Sequence, residues 1–138
     1  MTARRRGRGQ ALVEFALALP IFLVLLMGVF DLGRGIYMYN GVSEAAREIA
    51  RVTSVYPGGS LGSSAQTAAV VAAQKGLIPG LGDPTFSCVD IDGSDYTKAC
   101  LAGYQVKVVI FAPFSPVTPV LSFVGTWNMQ STSAVSIQ

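Results

Sequence analysis

The sequence predicts an α+β protein in which a long N-terminal transmembrane helix extends out of the membrane into a small extracytoplasmic domain with one helix and a short antiparallel sheet. The first observation is a run of twenty residues, 11–30, that contains only one charged residue, Glu14. Twenty helical residues rise about 30 Å, which is the thickness of a bilayer's hydrocarbon core. The second observation is a series of short alternating runs after residue 84, separated by Gly and Pro, which is typical of strands.

The helical pattern continues past the apolar run and predicts a single helix over residues 10–55. Two pairs of opposite charge at i,i+3 spacing, Asp31 with Arg34 and Glu48 with Arg51, support it. The pattern ends at the breaker segment 56–60, which contains Pro and Gly. Small and apolar residues at three-to-four spacing are predicted to form one face of this helix: Leu32, Ile36, Tyr39, Ser43, Ala46, Ala50 and Thr53.

The rest of the chain predicts a compact domain over residues 56–138. A second helix is expected from Ser63 to Leu77, with Ser63 or Ser64 as its N-cap. Its apolar face is predicted to comprise Ala69, Val70, Ala73 and Leu77. Strands are expected at residues 85–91, 104–111 and 127–137. The basic leader comprises residues 1–9, of which residues 2–9 are polar, rich in Arg and Gly, and expected to be disordered. The chain therefore has three parts: leader, helix and domain.

Charge predicts the orientation and excludes one class of partner. Charged residues make up 13% of the chain, against about 25% in soluble domains. Four of the ten basic residues lie within residues 4–8, which leaves six basic and eight acidic residues, a net charge of −2, in the rest. The body therefore lacks the basic surface that nucleic acid requires. The arginines predict a single-pass protein of the cytoplasmic (inner) membrane with its N-terminus inside and its C-terminal domain outside.

No catalytic, metal-binding or cofactor-binding set is evident in the sequence, so we expect no enzyme activity and no small-molecule substrate. The chain has no histidine, which excludes Ser-His-Asp and Cys-His catalysis. The acidic residues of the segment 90–95 are only faintly similar to a calcium loop, which needs a late Glu, and we interpret the segment as a hairpin turn at Asp92-Gly93. Cys88 and Cys100, outside the cytoplasm, form either a disulfide or two free thiols.

Glu14 lies four residues into the apolar run, where an unpaired carboxylate is unfavourable. On insertion scales the penalty is about 3 kcal/mol at the bilayer centre and smaller near the interface. Two interpretations remain open. Glu14 is close enough to the headgroups to reach them or to be protonated, or it meets a positive charge supplied by a partner.

The segment 8–15, which reads Arg-Gly-Gln-Ala-Leu-Val-Glu-Phe, resembles the processing site of type IV-like prepilins. Those chains have a short basic leader ending in Gly, followed by an apolar helix with Glu as its fifth residue. A cut after Gly9 would make Gln10 the first residue and Glu14 the fifth, followed by Phe15. The longer stretch from Arg4 to Val55 resembles the TadE-like family, and the residues that carry the likeness beyond the processing site are Pro20, Asp31, Leu32, Gly33, Arg34, Asn40, Ala45, Ala46, Arg47, Ala50 and Arg51.

The resemblance implies a minor pilin, or pseudopilin, of a Tad (tight adherence) pilus and secretion system. It implies that a prepilin peptidase removes the leader, and that the partners are the membrane, other pilins and subunits of the Tad machinery. Glu14 would pair with the free α-amine of a neighbouring subunit. We interpret Asp31 and Arg34 as an ion pair at the interface rather than a contact with the machinery. The alternative function is an uncleaved, membrane-anchored extracytoplasmic binding module.

Overall fold

The computed structural model describes residues 6–90, 92–96, 100, 102–118 and 125–137. Two helices precede a four-stranded antiparallel sheet, so the predicted α+β class is confirmed. The helices are α1, Arg6–Val55, and α2, Ala65–Leu77. The strands are β1, Thr85–Val89; β2, Asp95–Tyr96; β3, Gln105–Phe114; and β4, Trp127–Ser136. They lie in the order β2-β1-β3-β4 in the sheet.

Helix α1 begins four residues earlier than predicted, at Arg6, and ends at Val55 as expected. We expected the leader, residues 2–9, to be disordered, and that prediction is wrong for residues 6–9; residues 1–5 lie outside the described part. Arginine is a good helix former, so the turn before Gln10 extends the helix despite two glycines. Pro20 lies inside the helix, as membrane helices allow when neighbouring groups satisfy the freed carbonyl.

The chain forms two compact units. One comprises Met1–Arg34 with Pro116–Gly125, and the other comprises Gly35–Ser115 with Thr126–Gln138. We call them the first and second units. Helix α1 contributes residues to both of them.

The core of the second unit lies between α1 and one face of the sheet. Strand β3 alternates strictly, and its buried residues include Val106, Val108 and Ile110, which agrees with the strand predicted at residues 104–111. From α1, fully buried side chains pack into the same cluster: Val42, Ala45, Ala46, Ile49 and Ala50. Three of them are alanines, which let the helix backbone approach the strands closely.

The predicted face of small and apolar residues on α1 is buried only at its C-terminal end. Ala46, Ala50 and Thr53 are buried, but Leu32, Ile36 and Tyr39 are 55–65% exposed. The periodicity is the same along the whole helix, so it identifies the helix but not the point at which the sheet begins to cover it.

Helix α2 starts at the predicted N-cap, since the Ser64 hydroxyl accepts a hydrogen bond from the Thr67 backbone N–H at 3.1 Å. Its predicted apolar face is mostly wrong, because Thr67 is the buried residue and Leu77 is 69% exposed. The hydroxyl of Thr67 lies 3.2 Å from that of Thr53 on α1. This buried polar pair joins α2 to α1, and Val70 and Val71 of α2, both partly buried, pack against the core beside it.

The strands largely match the expected ranges, with one addition. β1 pairs with β3 and also with the short β2, which was not predicted. The expected hairpin turn is present: Gly93 has a φ of +79°, and its N–H bonds to the Asp90 carbonyl at 2.9 Å. Ile91, the predicted end of the first strand, lies outside the described residues. β3 runs three residues further than predicted, to Phe114, where it pairs with Trp127 of β4.

Candidate functional site

The apolar part of α1 exposes its large side chains on all sides. Leu12, Leu25 and Phe30 are 65–70% exposed, and no residue from Ala11 to Pro20 is buried. Within the described residues, one helix, Gly9–Val55, is long and apolar enough to cross a bilayer. A helix with apolar side chains on every face is more stable in lipid than in water, so this region is consistent with single-pass membrane anchoring.

The four residues of the predicted processing site lie on the first described turns of this helix. Gln10 and Glu14 are one turn apart, and the Gln10 amide donates a hydrogen bond to the Glu14 carboxylate at 3.3 Å. Phe15 is 65% exposed, and Gly9 has open space where a side chain would be. The site is therefore an exposed, accessible segment in which position 10 and Glu14 share one face.

Asp31 makes several polar contacts at the end of the apolar run. Its carboxylate accepts hydrogen bonds from the Val117 N–H at 3.2 Å, the Thr118 N–H at 3.1 Å and the Thr118 hydroxyl at 2.5 Å. Asp31 is only 3% exposed. The three donors replace the water that burial removes, as a buried carboxylate requires. We call this arrangement the Asp31 contact.

Electrostatics favour the ionised form of Asp31. The Thr118 hydroxyl lowers the pKa of the carboxyl most strongly, and the Thr118 and Val117 N–H groups and the Arg34 charge lower it further, against the opposing effect of burial. Hydrogen bonds to a carboxylate stabilise its charged form in this way. The Arg34 guanidinium lies 3.7 Å from Asp31, so the predicted ion pair is present, but Arg34 is half exposed.

The remaining residues of the juxtamembrane motif do not gather at this point. Gly33 has open space around it. Ala46 is buried in the core of the second unit, and the neighbouring Arg47 forms an exposed ion pair with Glu44 at 2.9 Å. The motif therefore combines one buried polar contact, one core position and surface charges, rather than a single constellation.

The sequence did not reveal the partner segment of Asp31. Val117 and Thr118 follow Asp31 by 86 and 87 residues, and no periodicity links positions that far apart. One signal was available: Thr118 is a hydroxyl residue between Pro116 and Pro119 in an otherwise apolar stretch.

Cys88 and Cys100 form a disulfide, which decides between the two alternatives left open by the sequence. Their Cα atoms are 5.6 Å apart, within the usual range. Cys88 is 1% exposed on β1, and Cys100 is partly buried against the core. The bond closes the segment that contains the β1–β2 hairpin.

One acidic residue of the hairpin pairs with a neighbouring strand through its side chain. Asp95 forms an ion pair with Lys107 of β3 at 2.8 Å. Across the described residues, no group of three His, Cys, Asp or Glu side chains is arranged to hold a metal ion.

Comparison with known proteins identifies a family match in the first third of the chain. Residues 9–51 match the family model of TadE-like protein. This TadE-like region begins at Gly9, includes Glu14 and Asp31, and ends at Arg51 within α1. No curated protein and no solved structure matches the chain.

Proposed function

We propose that the protein is a minor pilin, or pseudopilin, or an assembly component of a Tad-type pilus and secretion system, with a structural rather than a catalytic role. The observation that carries the proposal is the TadE-like match over residues 9–51, which includes the exposed apolar run 11–30 and the single acidic residue of that run, Glu14. The proposal includes anchoring in the cytoplasmic membrane and processing by a prepilin peptidase.

Charge supports the orientation in the membrane. The arginines at positions 4, 5, 6 and 8 flank the apolar run on its N-terminal side, and such clusters stay in the cytoplasm. The second unit then lies outside, where the Cys88–Cys100 disulfide persists.

Cleavage after Gly9 would give Glu14 a partner. The new α-amine on Gln10 is a cation, and a carboxylate in lipid is stabilised when an opposite charge meets it. Gln10 and Glu14 of one chain already occupy the same helix face, one turn apart. An amine from a neighbouring subunit's first residue would replace the weak Gln10 amide contact and set the axial register between the two helices.

The decisive experiment is the N-terminal mass of the protein extracted from membranes, with and without its cognate prepilin peptidase. We expect a peptidase-dependent chain that begins at Gln10. A chain that keeps its leader in both strains would contradict processing at Gly9 and would favour the uncleaved binding module.

A second experiment tests the role of Glu14 in assembly. We expect Glu14→Ala to abolish pilus assembly while leaving membrane insertion intact. Glu44→Ala is the matched control, because it removes an equal charge from an exposed position on the same helix outside the apolar run. Normal piliation of the Glu14 variant would exclude a pairing role for this carboxylate.

A further inference from the structure

If residues 11–30 cross a bilayer, the Asp31 contact lies at a defined depth in the membrane. This membrane span is the only part of the proposed function on which the inference rests. Asp31 directly follows the twenty-residue apolar run. At 1.5 Å per residue the run spans about 30 Å, so a run that fills the hydrocarbon core places Asp31 at the boundary between hydrocarbon and headgroups.

The Asp31 contact brings a second stretch of chain to the same depth. Val117 and Thr118 donate three hydrogen bonds to one carboxylate. Hydrogen bonds of this length hold the two backbones a few ångströms apart. Pro116 and Thr118, on either side of Val117, are buried.

Val117 differs from its neighbours, because its side chain is 74% exposed. The Asp31 contact uses the backbone N–H of Val117, and the apolar side chain is directed away from it into the surroundings. A segment whose N–H groups are satisfied internally and whose outward side chain is hydrocarbon has the properties that a lipid boundary requires.

We propose that Asp31 is a positioning residue that holds the segment Pro116–Thr118 at the bilayer boundary, so that Val117 inserts into the lipid beside the membrane helix. The exposed side chain of Val117 contacts the part of the acyl chains that lies next to the headgroups, rather than a protein. The segment carries no charge, and its exposed valine is apolar, like the exposed side chains of residues 11–30. Arg34, one turn beyond Asp31 and half exposed, lies on the headgroup side, where its charge stays in contact with water.

The test places an environment-sensitive fluorophore on a single introduced thiol in the full chain. The native cysteines are joined in a disulfide, so Val117→Cys supplies the reactive site. The labelled protein is reconstituted in vesicles of phosphatidylcholine and phosphatidylglycerol that carry a nitroxide quencher either near the headgroup or deep in the acyl chain. Leu25→Cys, at a 65% exposed position within the run, is the reference for insertion.

We expect the label at position 117 to emit as in an apolar medium and to be quenched more by the shallow than by the deep nitroxide. The label at position 25 should show the reverse preference. Adding Asp31→Ala should reduce the quenching at position 117 by at least half and leave position 25 unchanged. Adding Glu44→Ala, which removes the same charge elsewhere on α1, should change neither label.

Each contrary result has its own meaning. An aqueous signal at position 117 with position 25 in lipid overturns this inference and leaves the proposed function intact. Aqueous signals at both positions overturn the membrane span itself. A lipid signal at position 117 that persists in the Asp31 variant shows that Asp31 does not position the segment Pro116–Thr118.

Discussion

Replacing Cys100 with serine removes the disulfide while leaving Cys88, the more buried partner, in the core. The bonded residues are 12 positions apart. In the chain-entropy model, a loop of this length stabilises the folded state by about 3 kcal/mol at 25 °C, because the bond restricts the unfolded chain. For a domain of this size we expect the melting temperature to fall by about 12–24 °C, and the urea midpoint by about 2 M at an m-value of about 1.5 kcal/mol/M.

Trp127 provides the assay, because it is the one tryptophan in the chain. It begins β4 in the second unit, and its ring centroid is 6.1 Å from that of Phe114. Its fluorescence in urea titrations of the full chain in non-ionic micelles therefore reports unfolding of the second unit. Reductant should lower the wild-type midpoint to that of Cys100→Ser and leave the variant unchanged.

Two results would refute this reasoning. A variant midpoint within about 0.3 M of the oxidised wild type would mean that the bond does not restrict the unfolded state. If the urea midpoint falls in the variant but does not fall when the wild type is reduced, the effect comes from the serine side chain rather than from the missing bond.

Three further predictions concern single positions. Ser64→Ala should destabilise the second unit by about 1 kcal/mol through loss of the α2 N-cap, whereas Ser64→Asp should retain most of the stability; urea titration measures both. Ala46→Leu, at a fully buried position, should lower the free energy of unfolding by about 1–3 kcal/mol. Ala69→Leu, at an exposed position of α2, should change the free energy of unfolding by no more than about 0.5 kcal/mol. The pKa of Asp31 is lowered, chiefly by Thr118. The stabilisation that the ionised carboxylate gives to the Asp31 contact is therefore present above its ordinary pKa of about 4 and is lost as the pH falls through the lower folded-state pKa. The label at position 117 should hold its lipid signal from pH 7 to 5 and lose it only at a pH below about 4.

Local signals in the sequence predicted most of the elements. The helix start at Ser64, the strand alternation through Val106 and Val108 and the turn at Gly93 each depend on a few neighbouring residues, and all were confirmed. The disulfide was one of two open alternatives, because two cysteines in a sequence do not show whether their Cα atoms come within bonding distance.

The errors and omissions involve contacts between distant segments. Leu77 has the periodicity of a core residue, yet it is exposed, because the side of α2 that packs inward carries Thr67, Val70 and Val71 instead. Thr118 was not considered as a partner of Asp31, because 87 residues separate them and a hydrogen bond between side chain and backbone leaves no periodic trace. The short β2 was missed because two residues are too few to form an alternating pattern.

The core of the second unit has a consequence for how this protein can be released from a membrane. Its buried apolar residues include five from α1, between Val42 and Ala50, and these precede the end of the helix at Val55. A protease that cut the chain after Val55 would free a fragment without this part of its interior, whereas a cut near Gly35 would retain it. A cut at the end of the helix, after Val55, would therefore release the rest of the second unit and unfold it at the same time.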